Sequence, residues 1–358
     1  MQKKKGSNIK TVAELAKVSI STVSRVMNNS ANVSDELRDK VYRAIDQTGY
    51  SVNPIASNLK SARRDQVAII IPSLRQTFYT DIIKGASDFL FDKQIAPIIL
   101  ESSNQLNREK KLVDMIERQW IDGIILIPSK NYSVEGYEEF IESLSELRKS
   151  DVNIPVVLTE YCGQCKSLDS VSVDYDETFY KMTYHLLEIG RRRLVYLSKP
   201  KDSANYDVCL NAFERAIDDF GEGVKEEAVE YAEYTILSGY EAMKRVLRKC
   251  PKVDGVVCSG DQVAAGALIA CQESGIPLSD RIAVIGYGGV AVSIITTPSI
   301  TTMVAPRYEL GYESARVIYE RLKGEREERE ELWLKPHLAI RPSTLKSSQK
   351  TLDTMFSE

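Results

Sequence analysis

The sequence predicts an N-terminal all-α helix-turn-helix domain followed by an α/β core of two doubly wound parallel-sheet subdomains. Three observations carry this expectation. Residues 9–48 hold two short amphipathic segments joined by a tight break, then a third. From residue 67 onward, short apolar runs alternate with longer segments of helical period. Alternation of that kind is the signature of buried parallel strands crossed over by helices. Eight such runs over about 280 residues exceed one ordinary sheet, so two subdomains are expected.

The first helix is expected to start at Thr11, with Glu14 three residues later completing a capping box and Val12, Leu15 and Ala16 on one face. Lys17-Val18 forms the break, and Ser19 caps the second helix. There Val23, Val26 and Met27 turn inward, while Ile20, Ser21, Thr22, Ser24, Arg25 and Asn28 are left toward solvent. Ser34 opens a third helix whose first turn carries Asp35 and Glu36, where the helix dipole favours acids. A helix face of small polar groups and one arginine suits insertion into a DNA major groove. It equally describes the polar surface of any small helical bundle, and charge tips the balance. Residues 1–65 carry twelve Lys and Arg against six Asp and Glu, a net +6, so the remainder carries −10 of a chain total of −4. A basic head on an acidic body confines any polyphosphate contact to the head.

The stretch SVNPIASNLKSARRDQ after Gly49-Tyr50 is short, polar and basic, with Pro54 near its start. About six residues beyond that proline are too few to hold a helix unaided, so its order should depend on a partner. The strands are expected at 67–71, 97–100, 123–127, 154–158, 171–173, 194–197, 255–258 and 282–286. Ligands in such folds sit beyond the carboxyl ends of the strands, and the gap between two subdomains is the natural cleft. The segment ELWLKPHLAIR rejoins the core, leaving residues 346–358 as a tail too short for a tetramerising coiled coil.

With 358 residues, 43% hydrophobic and 27% charged, the chain is ordinary soluble-globular material. It has no apolar run of bilayer-spanning length, and MQKKKGS has no apolar segment behind it, so neither a membrane anchor nor a signal peptide is expected. A cytoplasmic location and reduced thiols for its six cysteines follow as expectations. Cys162 and Cys165 form a CxxC, read chiefly as loop thiols, with redox sensing as the alternative. Two histidines, at 185 and 337, and no second CxxC give no metal site, and no cofactor is expected. IGYGGV lacks the spacing of a phosphate loop, Arg191-Arg192-Arg193 reads as a solvated loop, and His185 as a packed edge residue.

Taken together, TVAELAKVSISTVSRVMNN, ANVSDELRDKVYRAIDQTGY, NPIASNL, DGIILIP, GDQVAAGAL, IAVIGYG, PSITTM and IRPST resemble the LacI/GalR family of bacterial transcription regulators in order and spacing. The resemblance implies a periplasmic-binding-protein-like core and a homodimer on a pseudo-palindromic double-stranded DNA operator. It divides the chain into a helix-turn-helix domain (1–52), a hinge helix and linker (53–66) and an effector-binding and dimerisation core (67–345). Within the core it places the N-subdomain at about 67–168 and 299–326 and the C-subdomain at about 169–298 and 327–345. It puts Ile20, Ser21 and Arg25 at base-reading positions, with Ser19, Thr22, Ser24, Asn28 and Ser34 on the backbone. It also puts Asn53, Ala56 and Leu59 in the hinge, with Leu59 as the wedge between base pairs.

For a small-molecule effector the resemblance marks Phe78, Tyr79, Glu160, Asn205, Cys209, Asp261 and Tyr287. Three departures stand out there. Cys209 and Ala212 replace the family's Arg and Gly, Gly260 replaces an Asn, and Gly288 replaces an Asp. Losing these groups argues against the usual sugar pose and leaves spare volume. A bulkier small ligand, a sugar held differently, and a protein coregulator or no ligand stay open. A solute-binding sensor with a vestigial head is the rival reading, and an α/β enzyme is disfavoured because the cleft is expected to have lost polar groups.

Overall fold

The structure is a computed structural model and describes residues 8–27, 33–49, 65–118, 121–130, 134–148, 153–160, 165, 167–221 and 223–345. The chain forms two compact units, 1–64 and 65–358.

In the first unit, helices α1 (Ile9–Ala16), α2 (Ile20–Met27) and α3 (Asp35–Thr48) enclose a small core of Val12, Ala13, Ala16, Val23, Val26, Val41 and Ala44. The start of α1 corrects the capping expectation. Asn8 is the N-cap, its Oδ1 accepting from the Thr11 N–H at 3.0 Å, and Thr11 lies inside the helix. Asparagine caps as well as threonine, and the earlier start brings Ile9 against the core. The buried face is accordingly Val12, Ala13 and Ala16, while Leu15 is 48% exposed. The turn closes on Lys17 in the left-handed region (φ 52°). Ser19 Oγ then accepts from the Thr22 N–H at 3.1 Å, as a cap should. Ser34 precedes α3 in extended conformation without a side-chain cap bond.

In the second unit, twelve strands among the described residues form two six-stranded sheets. Their ranges are β1 66–71, β2 96–101, β3 123–126, β4 156–159, β5 169–173, β6 193–198, β7 225–231, β8 255–258, β9 283–288, β10 301–304, β11 331–334 and β12 337–339. The first sheet runs β11-β5-β4-β3-β1-β2 and the second β12-β10-β9-β8-β6-β7. Every neighbouring pair is parallel except β10 with β12. β1, β3, β4 and β8 are mostly apolar, as burial on both faces favours, while the equally buried β5 carries Asp169, Ser170 and Ser172. All eight expected strands are present. The strand at 225–231, KEEAVEY, carries no apolar run because it is a half-exposed edge.

Strand pairing corrects the expected subdomain limits. β5 (169–173) belongs to the first sheet, β10 (301–304) to the second, and β11 (331–334) returns to the first beside β5. The chain therefore crosses between sheets after Val173, between Val304 and Arg307, and between Leu334 and His337. Short runs such as these look alike in sequence. For β11 the deciding partner is the distant β5, with Glu331 opposite Ser170, whereas β10 is taken by its nearer neighbours β9 and β12.

Helices Phe78–Asp92 (α4) and Arg307–Lys323 (α12) meet at backbone distance. A Cβ on Gly85 would stand 1.9 Å from the Tyr308 carbonyl oxygen, and one on Gly311 would stand 1.8 Å from that of Ile82. Asp169 and Arg321, both buried, form a two-pronged pair at 2.8 and 2.6 Å that ties β5 to α12.

Several other sequence features resolve as structural. Arg191 is buried and donates to the carbonyls of Ser279, Asp280 and Arg281. Arg192 lies over the Phe220 ring and Arg193 pairs with Glu227, so the triple arginine is a set of ties rather than a solvated loop. His185 is buried with Nε2 3.1 Å from Thr344 Oγ1, and burial holds its pKa low. Cys165 is buried, while Cys162 and the tail 346–358 lie outside the described residues. No described helix is long and apolar enough to cross a membrane. No described cluster of His, Cys, Asp and Glu has a metal-binding arrangement.

Candidate DNA-reading head and ligand cleft

On α2 the hydrophobic positions at 23 and 26 fix the outward face by helical period. Ser19, Ile20, Ser21 and Arg25 are exposed, Thr22 and Ser24 half-buried, and Ser34 exposed ahead of α3. Ser19 Oγ lies 2.7 Å from Ser21 Oγ and 2.8 Å from Thr22 Oγ1, gathering three hydroxyls at the helix N-terminus, where phosphate oxygens are favoured. Asn28, Asn53, Ala56 and Leu59 lie outside the described residues.

In the core unit, the residues just past the buried strands converge. Pro72 follows β1, Ile127 follows β3 and Glu160 follows β4; Lys199 follows β6 and Ser259 follows β8. They line one cleft of about 840 Å³, its open mouth included. Carboxyl ends of parallel strands point the same way, so the first loop residue of each is delivered to a common place. Phe78, Tyr79, Glu160, Asn205, Asp261 and Tyr287 are all on its lining. Cys209 is not. It is fully buried in the core among side chains that include Tyr196 and Phe213, which corrects its assignment to the effector site. It sits on helix Tyr206–Phe220 (α8), buried beside Lys199 of the lining.

The cleft is more polar than the three departures imply. Lys199, Tyr175, Tyr234, Ser129 and Ser259 line it, and none was among the expected site residues. Lys199 and Ser259 occupy the same place after their strands as Glu160 does, a positional signal readable in the sequence. Tyr234 sits in the loop before helix Ile236–Lys249 (α9) and carries no such signal. The expected spare volume is missing at Gly288, where a Cβ would meet the Phe78 ring at 3.2 Å, whereas one on Gly260 would make an ordinary contact with the Tyr234 ring at 3.5 Å. At Gly288 an aromatic ring has taken the space of the missing polar chain.

Glu160 is buried, in the left-handed region at φ 61°. Its Oε2 accepts from the Tyr175 hydroxyl, and its backbone carbonyl accepts from Asn205 Nδ2 at 3.0 Å. Burial pushes its pKa up to about 7 against the pull of the Tyr175 hydroxyl and Lys199. Lys199 donates to the Ala204 carbonyl at 2.9 Å and stands 5.2 Å from the Tyr175 ring centre. Asp261 opens helix Asp261–Glu273 (α10), accepting from the Val290 N–H at 2.8 Å and the Thr302 hydroxyl at 2.6 Å. Burial raises its pKa to about 7 despite those bonds and the charges of Arg307 and Arg341.

Contacts across the cleft join the subdomains. At the rim Lys130 pairs with Asp202. Deeper, Arg307 reaches Asp81 of α4 at 2.6 Å and also donates to the Gly288 carbonyl at the end of β9. Arg307 stands in the second sheet-to-sheet crossing, so it braces the segment about which the two halves would move.

Comparison with known proteins accords with both units. Residues 8–53 match the model of bacterial regulatory proteins of the lacI family, and residues 64–339 match that of periplasmic binding proteins and the sugar-binding domain of the LacI family. The chain is 28% identical to catabolite control protein A of Priestia megaterium over 93% of its own length and 98% of that protein's. It is 28% identical to the HTH-type transcriptional repressor PurR of Escherichia coli O139:H28 over 94% and 96%. Among solved structures, a CelR–cellobiose complex is 27% identical with a TM-score of 0.69, covering 94% of this chain and 99% of that one. The Lac repressor dimer bound to operator and the anti-inducer ONPF has a TM-score of 0.83 at 22% identity, covering 96% and 100%. The relatives are transcriptional regulators rather than enzymes, even though this cleft holds Glu160, Lys199 and Asp261 together. The chain belongs to the LacI family of bacterial regulatory proteins, a DNA-binding transcriptional regulator with a ligand-binding core.

Proposed function

We propose that this regulator is a cytoplasmic homodimeric repressor that places two heads on the halves of a pseudo-palindromic operator and is tuned by a small molecule in the cleft. The observation that carries the reading is the exposed face of α2, where Ile20, Ser21 and Arg25 stand clear of the core formed by Val23 and Val26. Arg25 pairs two-pronged with a guanine, Ile20 touches a thymine methyl, and the hydroxyls of Ser19, Thr22 and Ser24 position the helix on phosphates. Residues 53–66 form the hinge, with Leu59 as the wedge.

The dimer is supported by an apolar surface on one side of the second sheet. Ile236 and Leu237 of α9, Ile269 of α10, and Ile294 and Ile295 of helix Val292–Ile295 (α11) are all exposed there, Leu237 by 65% and Ile295 by 78%. Five large aliphatic side chains on three neighbouring helices are costly to leave in water. The effector site is atypical, its aromatic rings and Lys199 standing in for the family's polar groups. The PurR repressor and the cellobiose-bound CelR support a cleft-regulated repressor.

Selection of genomic DNA fragments by the purified chain, followed by footprinting, tests the reading. A two-fold symmetric site protected at both halves is expected. Enrichment without any shared sequence would overturn it. Light scattering of wild type and Leu237→Asp tests the dimer: a monomeric wild type would remove it, and a variant as dimeric as wild type would remove this face as its interface.

A further inference from the structure

The described residues leave two buried polar atoms on the cleft wall without a hydrogen-bond partner: Glu160 Oε1 and Ser259 Oγ. Glu160 Oε2 has Tyr175, both oxygens of Asp261 have donors, and Lys199 has the Ala204 carbonyl. The charged residues of the lining are Glu160, Asp261 and Lys199, an excess of acid. Around them lie the rings of Phe78, Tyr79, Tyr175, Tyr234 and Tyr287, with Phe78 5.8 Å and Tyr175 5.5 Å from Tyr287.

Resting on the effector-cleft reading above, we propose that the ligand is a ring-shaped molecule presenting an N–H or O–H donor to Glu160 Oε1, and that Glu160 makes the cleft select amines and alcohols over acids. A buried carboxylate oxygen without a donor is unfavourable, and a ligand donor relieves it. Above the Glu160 pKa of about 7, where the contrast is to be measured, a ligand carboxylate in the same place would force two anions together in a dry site. Aromatic faces add attraction for a ring and for an ammonium group. Glu160 thereby becomes the residue that sets ligand charge, and the Ser259 hydroxyl provides a second polar contact from the opposite wall, at the end of the second sheet's β8.

Two matched trios test this by calorimetry on the full chain: glucosamine, glucose and glucuronate; tyramine, tyrosol and 4-hydroxyphenylacetate. Within a trio that binds, the amine and alcohol are expected to bind at least about tenfold more tightly than the acid. Glu160→Gln, close to isosteric, is expected to shrink that preference to about twofold, with unchanged circular dichroism showing that it folds. An acid that binds as tightly as its partners, or a preference that survives Glu160→Gln, overturns the inference and leaves the effector reading intact. Selective binding that leaves operator affinity unchanged upholds the ligand class and sinks the effector reading. No binding by any of the six overturns both.

Discussion

Replacing Asp261 with asparagine should change how the stability of the core responds to pH, by an amount the structure sets. Asp261 is 2% exposed, and its folded pKa is raised from 3.8 to about 7. A carboxyl whose folded pKa is raised holds its proton more tightly in the native state than in the unfolded chain. Its contribution to stability is therefore complete below about pH 4 and is lost as pH rises toward 7. Each pH unit in that window costs about 1.4 kcal/mol, so from pH 5 to 8 the group withdraws about 3 kcal/mol. The asparagine amide does not titrate and withdraws nothing. Its oxygen can still accept from either the Val290 N–H or the Thr302 hydroxyl, which limits the local penalty. Urea denaturation of wild type and Asp261→Asn at half-unit pH steps measures the difference directly. Glu160 and His185 titrate in both proteins and largely cancel in the subtraction. The stability of the variant minus that of wild type should climb by about 3 kcal/mol between pH 5 and 8. A flat or falling difference would show that the Asp261 carboxyl is ionised throughout, stabilised by Arg307 and Arg341, and the account of the cleft's electrostatics would be wrong.

Other expectations follow from named contacts. Gly311→Ala should cost about 3 kcal/mol or more in urea unfolding, because the new methyl meets the Ile82 carbonyl and both partners are helix backbone. Adding Gly85→Ala should cost less than it does alone, since the first methyl has already spread α4 from α12; simple additivity would contradict shared backbone contact. Asp169→Ala should lower core stability by about 3–5 kcal/mol by leaving the Arg321 guanidinium buried without its carboxylate. A loss under about 1 kcal/mol would mean that the pair is hydrated in solution. Arg25→Ala should weaken specific operator binding by about 1–3 kcal/mol while nonspecific binding and its salt dependence stay close to wild type. Equal losses on specific and random DNA would make Arg25 a phosphate contact instead.

Much of this protein is written locally. Periodicity alone gives the three helices of the head, because a helix of eight residues with valines at 23 and 26 has one way to bury them. Strands β1, β3 and β8 are equally legible, since strands buried on both faces are mostly apolar, as Ile69, Ile70, Ile125 and Val257 are; β5, with Asp169, Ser170 and Ser172 buried, is less so. Glu160 is readable for the same reason: a polar residue directly after such a run stands at the carboxyl end of a parallel sheet. Lys199 and Ser259 obey that rule too. The family pattern points past them to Cys209 on α8, a position that turns out to face the core.

Other features belong to the tertiary structure. The return of residues 331–334 to the first sheet depends on long-range pairing with β5, and a four-residue strand contains no information about its distant neighbours. The two glycines at the α4–α12 contact look unremarkable until the helices are laid together. The cleft's chemistry is the clearest case. In sequence, Gly288 reads as a lost side chain and empty space, yet Phe78 arrives from elsewhere in the chain to occupy it. Burial, which only the folded chain creates, is what moves the pKa values of Glu160 and Asp261 to about 7. Local pattern decides which residues can be buried; the meeting of distant segments decides what they are buried against, and so their charge and partners.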